Sequence, residues 1–427
     1  MMRRRSLLLS TCVLLALLAA GVAWRNVQGE APLLPDPTSK ATPADSADLV
    51  ARGAYLARAG NCAGCHTDRG GAAYAGGLAI ETPFGRVYAS NLTPDPGSGL
   101  GQWTSDEFWR ALHHGRSRDG RLLYPAFPYP NLTLVKRADA DALLAYLRSL
   151  PAVAQVNRAP ALRWPYDSRL ALAVWRALYF RPQSFQPEAD RSAEWNRGAY
   201  LVNGLGHCSA CHASRNLLGA SGRLADRDAG SRLPGQNWVA PSLSDPTESM
   251  ATSGDPADLI ALLKTGQSRH SAVLGPMTDV VAGSTQHLRD GDLRAMAAYL
   301  QSLPPPVAPD GDRTKRRHER SAAVMARGSE LYTRHCADCH GAQGQGAPGI
   351  YPPLAGNRTV TMAQPGNLLL AITGGGFAPA TDANPRPYGM PPFDLPHADL
   401  AALATWLRSA WGHQAAPVSE VEVLLAR

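Results

Sequence analysis

Charge is scarce in this chain. Asp, Glu, Lys and Arg make up only 18% of its 427 residues. The formal charge of +7 and pI near 9.1 come without a basic stripe interleaved with aromatics, so they do not mark a nucleic-acid-binding surface. No phosphate-binding loop and no paired nucleophile and base are visible, which argues against a substrate-processing enzyme. The βαβ context that a thioredoxin-like dithiol would need is missing too. Cysteine is limited to seven residues, and no methionine occurs between Met2 and Met250.

What cysteine there is falls into a pattern. Cys62-Ala63-Gly64-Cys65-His66 returns as Cys208-Ser209-Ala210-Cys211-His212 and as Cys336-Ala337-Asp338-Cys339-His340. C-x-x-C-H is the attachment signature of c-type haem: both thiols add to the vinyl groups and the adjacent histidine ligates iron. A zinc site would draw on paired clusters, whereas each pair here is isolated and followed at once by His. The spacing therefore predicts three covalent haems c. Cys62, Cys65, Cys208, Cys211, Cys336 and Cys339 are the anchors, and His66, His212 and His340 the proximal ligands. Cys12 stands apart in an apolar run and reads as a thiol of a signal or anchor.

Met1-Met2-Arg3-Arg4-Arg5 is a basic leader, and Ser6 to Trp24 is apolar and uncharged. Residues 1–29 read as an export signal or a membrane anchor, residues 30–45 as a tether. In either case the body faces the periplasm.

The repetition extends beyond the motifs. Ala51-Arg52-Gly53-Ala54-Tyr55-Leu56, Asn196-Arg197-Gly198-Ala199-Tyr200-Leu201 and Ala326-Arg327-Gly328-Ser329-Glu330-Leu331 each precede a motif on an amphipathic helix. A Gly/Pro-rich loop follows each motif, then a middle helix, another loop and a closing helix. Thr104 with Glu107 forms a capping box and Gly115 a stop; Pro256 and Gly266, then Pro365 and Gly374, bound the other two middle helices. The fold class is therefore all-α: three tandem class I-like cytochrome c domains at 46–151, 192–304 and 321–412. Linkers occupy 152–191, with a short helix near Leu170–Tyr179, and 305–320. Residues 413–427 form a short tail whose apolar part, Val418 to Leu425, can pack on the body or touch a partner.

A distal ligand can reach the iron from the loop after the middle helix. Gly275-Pro276-Met277 and Tyr388-Gly389-Met390 supply a thioether there, and Met/His ligation suits electron transfer. In the first repeat Phe127 stands instead, and Phe cannot ligate iron. His113, His114, Lys136 or no protein group are the alternatives. Each proximal imidazole should also donate to a nearby carbonyl, and Pro83, Pro241 and Pro353, each in a turn after its motif, are candidates to supply or shape that acceptor.

Three such domains behind an export signal resemble the three-haem cytochrome c subunits of bacterial membrane-bound alcohol, gluconate, sorbitol, fructose and aldehyde dehydrogenases. The leading helices, Tyr124-Pro125-Ala126, Pro128-Tyr129, Gly275-Pro276-Met277 and Tyr388 to Phe393 carry the resemblance. It implies electron transfer from a large dehydrogenase subunit of flavin, quinone or molybdenum type to ubiquinone or another respiratory acceptor such as a cytochrome or oxidase. The chain would lie at the periplasmic side of the inner membrane, without a substrate-oxidising site of its own. Many members of that family carry Met at the place of Phe127. Two rival readings are a peroxidase-like enzyme or ligand sensor with an open first haem, and a free-standing shuttle to a terminal oxidase.

Overall fold

In each repeat an Arg-Gly pair decides how two helices cross. The computed structural model describes residues 2–30, 46–224, 226, 230–305 and 321–426; most of the tether and linker predicted at 30–45 and 305–320 lies outside them. The leading helices run Ala47–Ala59, Ala193–Tyr200 (continued by a wide turn, Leu201–Leu205) and Ala322–His335. The closing helices run Arg137–Ser149, Asp290–Gln301 and His397–Leu407. Gly53, Gly198 and Gly328 sit where each pair touches. A Cβ there would lie 1.9, 1.8 and 2.4 Å from the carbonyl oxygens of Ala142, Ala295 and Ala402. The preceding arginine reaches across to the third residue of the closing helix. Arg52 Nε donates to Asp139 Oδ1 at 2.9 Å, Arg197 to both oxygens of Asp292 at 2.8 Å, and Arg327 to both oxygens of Asp399 at 2.8 and 2.7 Å. Each carboxylate also lies in a helix's first turn, where the macrodipole favours it.

The far end of the closing helix is tied to the backbone just before the middle helix. Arg148 donates to Trp103 O, and Gln301 to Gly254 O at 2.9 Å. Arg408, only 1% exposed, donates to the carbonyls of Val360 (2.9 Å), Met362 (2.7 Å) and Ala416 (2.7 Å). It is a buried guanidinium satisfied by main chain rather than by a carboxylate.

The middle helices are Ser105–His114, Pro256–Thr265 and Gly366–Gly374. Both halves of the Thr104–Glu107 capping box form. Gly115 and Gly266 end the first two helices with φ of 57° and 76°. In the third, Gly374 is still helical and the terminating positive φ, 60°, falls on Gly375.

The expected all-α class holds, with short antiparallel strands in the loops. They are Ala79–Thr82 with Gly85–Tyr88 and Ala161–Leu162, Ser231–Arg232 with Val239–Ala240, and Gly376–Phe377 with Gly389–Met390.

The chain divides into two compact units. The first comprises Met1–Ala57, Cys65–Gln186 and Leu217–Ala220; the second comprises Arg58–Gly64, Pro187–Asn216 and Ser221–Arg427. Within the first, the N-terminal helix Met2–Val27 packs against a helix at Arg169–Tyr179 in the stretch after the first repeat. Asn26 Nδ2 donates to Ala173 O at 2.9 Å, and Arg176 Nε donates to Asn26 Oδ1 at 3.0 Å. Leu8–Val27 is long and apolar enough to cross a membrane and is not buried in the structure.

Within the second unit, Asn367 joins the second and third repeats, accepting from Val239 N and donating to Val239 O, both at 2.8 Å. Leu331, Leu369, Leu400 and Leu403 centre the third repeat's core, each contributing about 2 kcal/mol by burial. The tail does pack there, through Val418, Val423 and Ala426.

Candidate haem attachment sites

A single turn of helix brings each C-x-x-C pair onto one side. The turns span Cys62–His66, Ser209–His212 and Ala337–His340. Residues i and i+3 share a helix face, so both thiols of a pair can reach one planar ligand while the histidine follows on the next position. None of the six cysteines is paired in a disulfide.

Each motif histidine is held the same way. His66 Nδ1 lies 2.7 Å from Ser90 O, His212 Nδ1 2.8 Å from Pro241 O, and His340 Nδ1 2.9 Å from Pro352 O. A carbonyl only accepts, so each Nδ1 carries the proton and each Nε2 keeps its lone pair. Burial pushes all three imidazoles below the ordinary histidine range, partly opposed by the carbonyl bond. The rings are thus neutral at pH 7, with one nitrogen free to bind metal. Of the carbonyls expected from sequence, only that of Pro241 is used. Ser90 replaces Pro83, and Pro352 replaces its neighbour Pro353, because the loops reach their histidines at different distances along the chain.

A second repeated device escaped the sequence. Gly76, Gly230 and Gly346 donate their N–H to the carbonyls of His66, His212 and His340 at 2.8, 2.7 and 2.8 Å. Their φ values are 79°, 93° and 65°. A Cβ on these glycines would meet the backbone at Ser90, Ser242 and Tyr351 at 2.5, 2.8 and 2.4 Å. The glycine therefore lets the loop that carries the acceptor carbonyl lie close against the motif. Its offset from the histidine differs in each repeat, which hides it from repeat matching.

The loops that follow the middle helices of the first two repeats are equivalent in structure. After each middle helix a tight bridge forms, Arg116 with Leu122 and Gln267 with Ala272. Leu123 N then donates to Gly115 O, and Val273 N to Gly266 O. Counting on from either bond, Phe127 occupies the place of Met277. Met277 was expected on a loop; it is the second residue of a helix, Pro276–Gly283, which Pro276 begins. Met390 lies in the Gly389–Met390 strand, paired with Gly376, and packs on the third repeat's core.

The three other first-repeat candidates sit as follows. His113 is buried, stacks on Trp109 at 4.5 Å and is hydrogen-bonded to the backbone of Thr133; its Nδ1 has no partner among the described residues. Lys264, two residues before Gly266 as His113 is before Gly115, likewise donates to a carbonyl, that of Leu288 at 2.9 Å. The pairing marks His113 as a brace between the middle helix and the following loop. His114 is buried beside Arg176, Arg116 and Arg110, and burial followed by His113 and these cations pushes it down to about 4. Lys136 is exposed at the start of the closing helix, its ammonium 5.9 Å from the Phe185 ring.

A cytochrome c family model matches residues 25–151, 196–304 and 325–411. This chain belongs to the cytochrome c family. Among the described residues no three His, Cys, Asp or Glu side chains gather as a bare metal site. The thiol pairs and the free Nε2 atoms instead fit the covalent haem that cytochrome c domains bind. The cytochrome is 40% identical to the cytochrome c subunit of the quinone alcohol dehydrogenase of Gluconacetobacter polyoxogenes, over 87% of this chain and 82% of that one. It is 36% identical to the gluconate 2-dehydrogenase cytochrome c subunit of Pantoea cypripedii, over 86% of each. It is 40% identical to a nicotinate dehydrogenase subunit of Pseudomonas putida, over 92% of this chain but only 32% of that longer protein.

Proposed function

We propose that the chain is a tri-haem electron-transfer subunit of a membrane-bound dehydrogenase. It takes electrons one at a time from a large substrate-oxidising subunit and hands them to ubiquinone or another respiratory acceptor at the periplasmic side of the membrane. The observation that carries this reading is the threefold site: thiol pair, neutral imidazole and Nδ1–carbonyl bond, repeated in a chain whose relatives are named as dehydrogenase cytochrome subunits. In it, Cys62 with Cys65, Cys208 with Cys211 and Cys336 with Cys339 anchor the haems. His66, His212 and His340 are proximal ligands, and Met277 and Met390 distal ones. Bound haem supplies the one-electron couple. The chain's residues fix its orientation, and the carbonyl on each Nδ1 raises the basicity of the ligating nitrogen. Domain limits near 46–151, 192–304 and 321–412 follow from the same assignment.

The partner's cofactor is left open among flavin, quinone and molybdenum types, since the relatives serve different dehydrogenases. Purification of the holoprotein from membranes tests the reading. Three haems per chain and a co-purifying large redox subunit whose substrate reduces them are expected. A lone soluble protein with no reducible partner overturns it.

Phe127 in the place of Met277 favours a second reading for the first haem alone: an open or weak distal position. A high-spin haem that binds carbon monoxide rapidly would support it; three low-spin haems would exclude it.

A further inference from the structure

The helix Arg169–Tyr179 has three sides, of which two are occupied. Leu172 and Arg176 are buried, and the Arg176 guanidinium lies 5.2 Å from the Tyr129 ring and 4.8 Å from the Phe180 ring. A second side receives the end of the N-terminal helix through Ala173 and Asn26. The third side carries Leu170, Val174 and Leu178, spaced four apart and therefore in one stripe. They are 73, 38 and 59% exposed. The apolar surface continues beside them: Trp175 Nε1 donates to Leu218 O at 2.8 Å, and the neighbouring Leu217 is 97% exposed. Surface of this extent on a soluble face calls for an occupant.

We infer that this stripe lies in the surface of the lipid bilayer, as an interfacial helix beside the exit point of the N-terminal helix. Continuity carries the assignment. Leu8–Val27 is exposed, apolar and long enough to span, and its last turn is bonded to the middle of this helix by Asn26. The stripe must then sit at the depth where the spanning helix leaves the hydrocarbon. Its ends suit that depth. Tyr179 is amphipathic, and Arg169 is exposed at the helix's start. Arg181 closes its end by donating to Ala177 O and Phe180 O at 2.9 and 2.6 Å, so both ends carry the positive charge that suits an interface with acidic headgroups. The inference rests on reading the N-terminal helix as retained in the membrane, and the test separates the two.

In the holoprotein six cysteines are consumed by haem, so Cys12 is the single free thiol. A spin label on Cys12 reports the N-terminal helix. Val174→Cys and Leu178→Cys, each with Cys12→Ser, report the stripe, and Asp119→Cys serves as an exposed control. The full chain is placed in nanodiscs of phosphatidylethanolamine and phosphatidylglycerol. Collision with oxygen relative to a nickel chelate is expected to be at least threefold higher at 174 and 178 than at 119. If Cys12 reads lipid while 174 and 178 read water, the inference falls and the anchor stands. If Cys12 is lost or aqueous while 174 and 178 read lipid, the anchor and the support from continuity fall, and the stripe's place in the bilayer surface stands on the labels alone. Labels shielded from both quenchers mean that a protein partner covers the stripe, and this too overturns it.

Discussion

Replacing Gly198 by Ala should destabilise the second haem domain although alanine is the better helix former. In an open helix the exchange gains about 1 kcal/mol. Here the new Cβ would stand 1.8 Å from Ala295 O and 2.9 Å from Tyr299 Cβ, where contacts under 3.0 Å are not tolerated. The helices must part by about 1.2 Å, and Ala295 O is backbone of a helix and cannot swing aside. Overpacking of this kind costs about 1–3 kcal/mol and more when backbone must move. Parting also stretches both Arg197–Asp292 bonds, now 2.8 Å each. A net loss of about 2 kcal/mol, or ~10 °C for a domain of this size, is expected. Gly53→Ala, with its contact at 1.9 Å, should behave alike in the first domain. Gly328→Ala, at 2.4 Å, should cost less. Thermal unfolding followed through the haem absorbance of each variant measures the series. Equal or higher stability of Gly198→Ala, or the largest loss at Gly328, would refute the crossing argument.

Three further outcomes are expected. Replacing Met277 or Met390 singly by Ala should lower one haem potential by on the order of 0.1–0.2 V, within the ~0.8 V that axial ligands control; potentiometric titration decides, and two unchanged potentials would remove both thioethers from the proposed ligand set. Arg408→Ala leaves the carbonyls of Val360, Met362 and Ala416 without their donor and should cost ~3 kcal/mol or more in denaturant unfolding. Asp258 and Asp399 are held below the ordinary carboxylate range, first by hydrogen bonds from Arg269 and Arg327. A carboxyl depressed in the folded state contributes its full stabilisation above its unfolded value and loses it as pH falls through the lower folded value. The melting temperature should therefore drop below about pH 4, and Asp399→Asn should flatten that drop.

What the sequence made legible follows from how local each signal is. The C-x-x-C-H motifs, the capping box at Thr104 and the stops at Gly115 and Gly266 are short-range patterns and appear where the pattern places them, whereas the third stop falls one residue late, on Gly375 rather than Gly374. The three Arg-Gly pairs were visible as repeats, but their purpose was not. It depends on Asp139, Asp292 and Asp399, which lie 87, 95 and 72 residues further on. The acceptors of the motif histidines were harder still. Ser90, Pro241 and Pro352 share no common residue type across all three sites and lie 24, 29 and 12 residues from their histidines, because what the site uses is a main-chain oxygen. The same holds for Gly76, Gly230 and Gly346, whose roles come from loops of unequal length closing on one geometry. The place of Phe127 was legible, since the bridge behind it is built alike in both repeats.

That choice of a main-chain oxygen has a consequence for how such a protein can vary. A side-chain acceptor can be deleted by one codon change, whereas the carbonyls of Ser90, Pro241 and Pro352 survive any substitution at those positions. The hold on all three motif histidines is shielded from point mutation, except through the glycine that seats the loop. In the proposed ligand set, adjustment falls instead to the position shared by Met277 and Phe127, where a single exchange would alter one centre and leave its attachment intact.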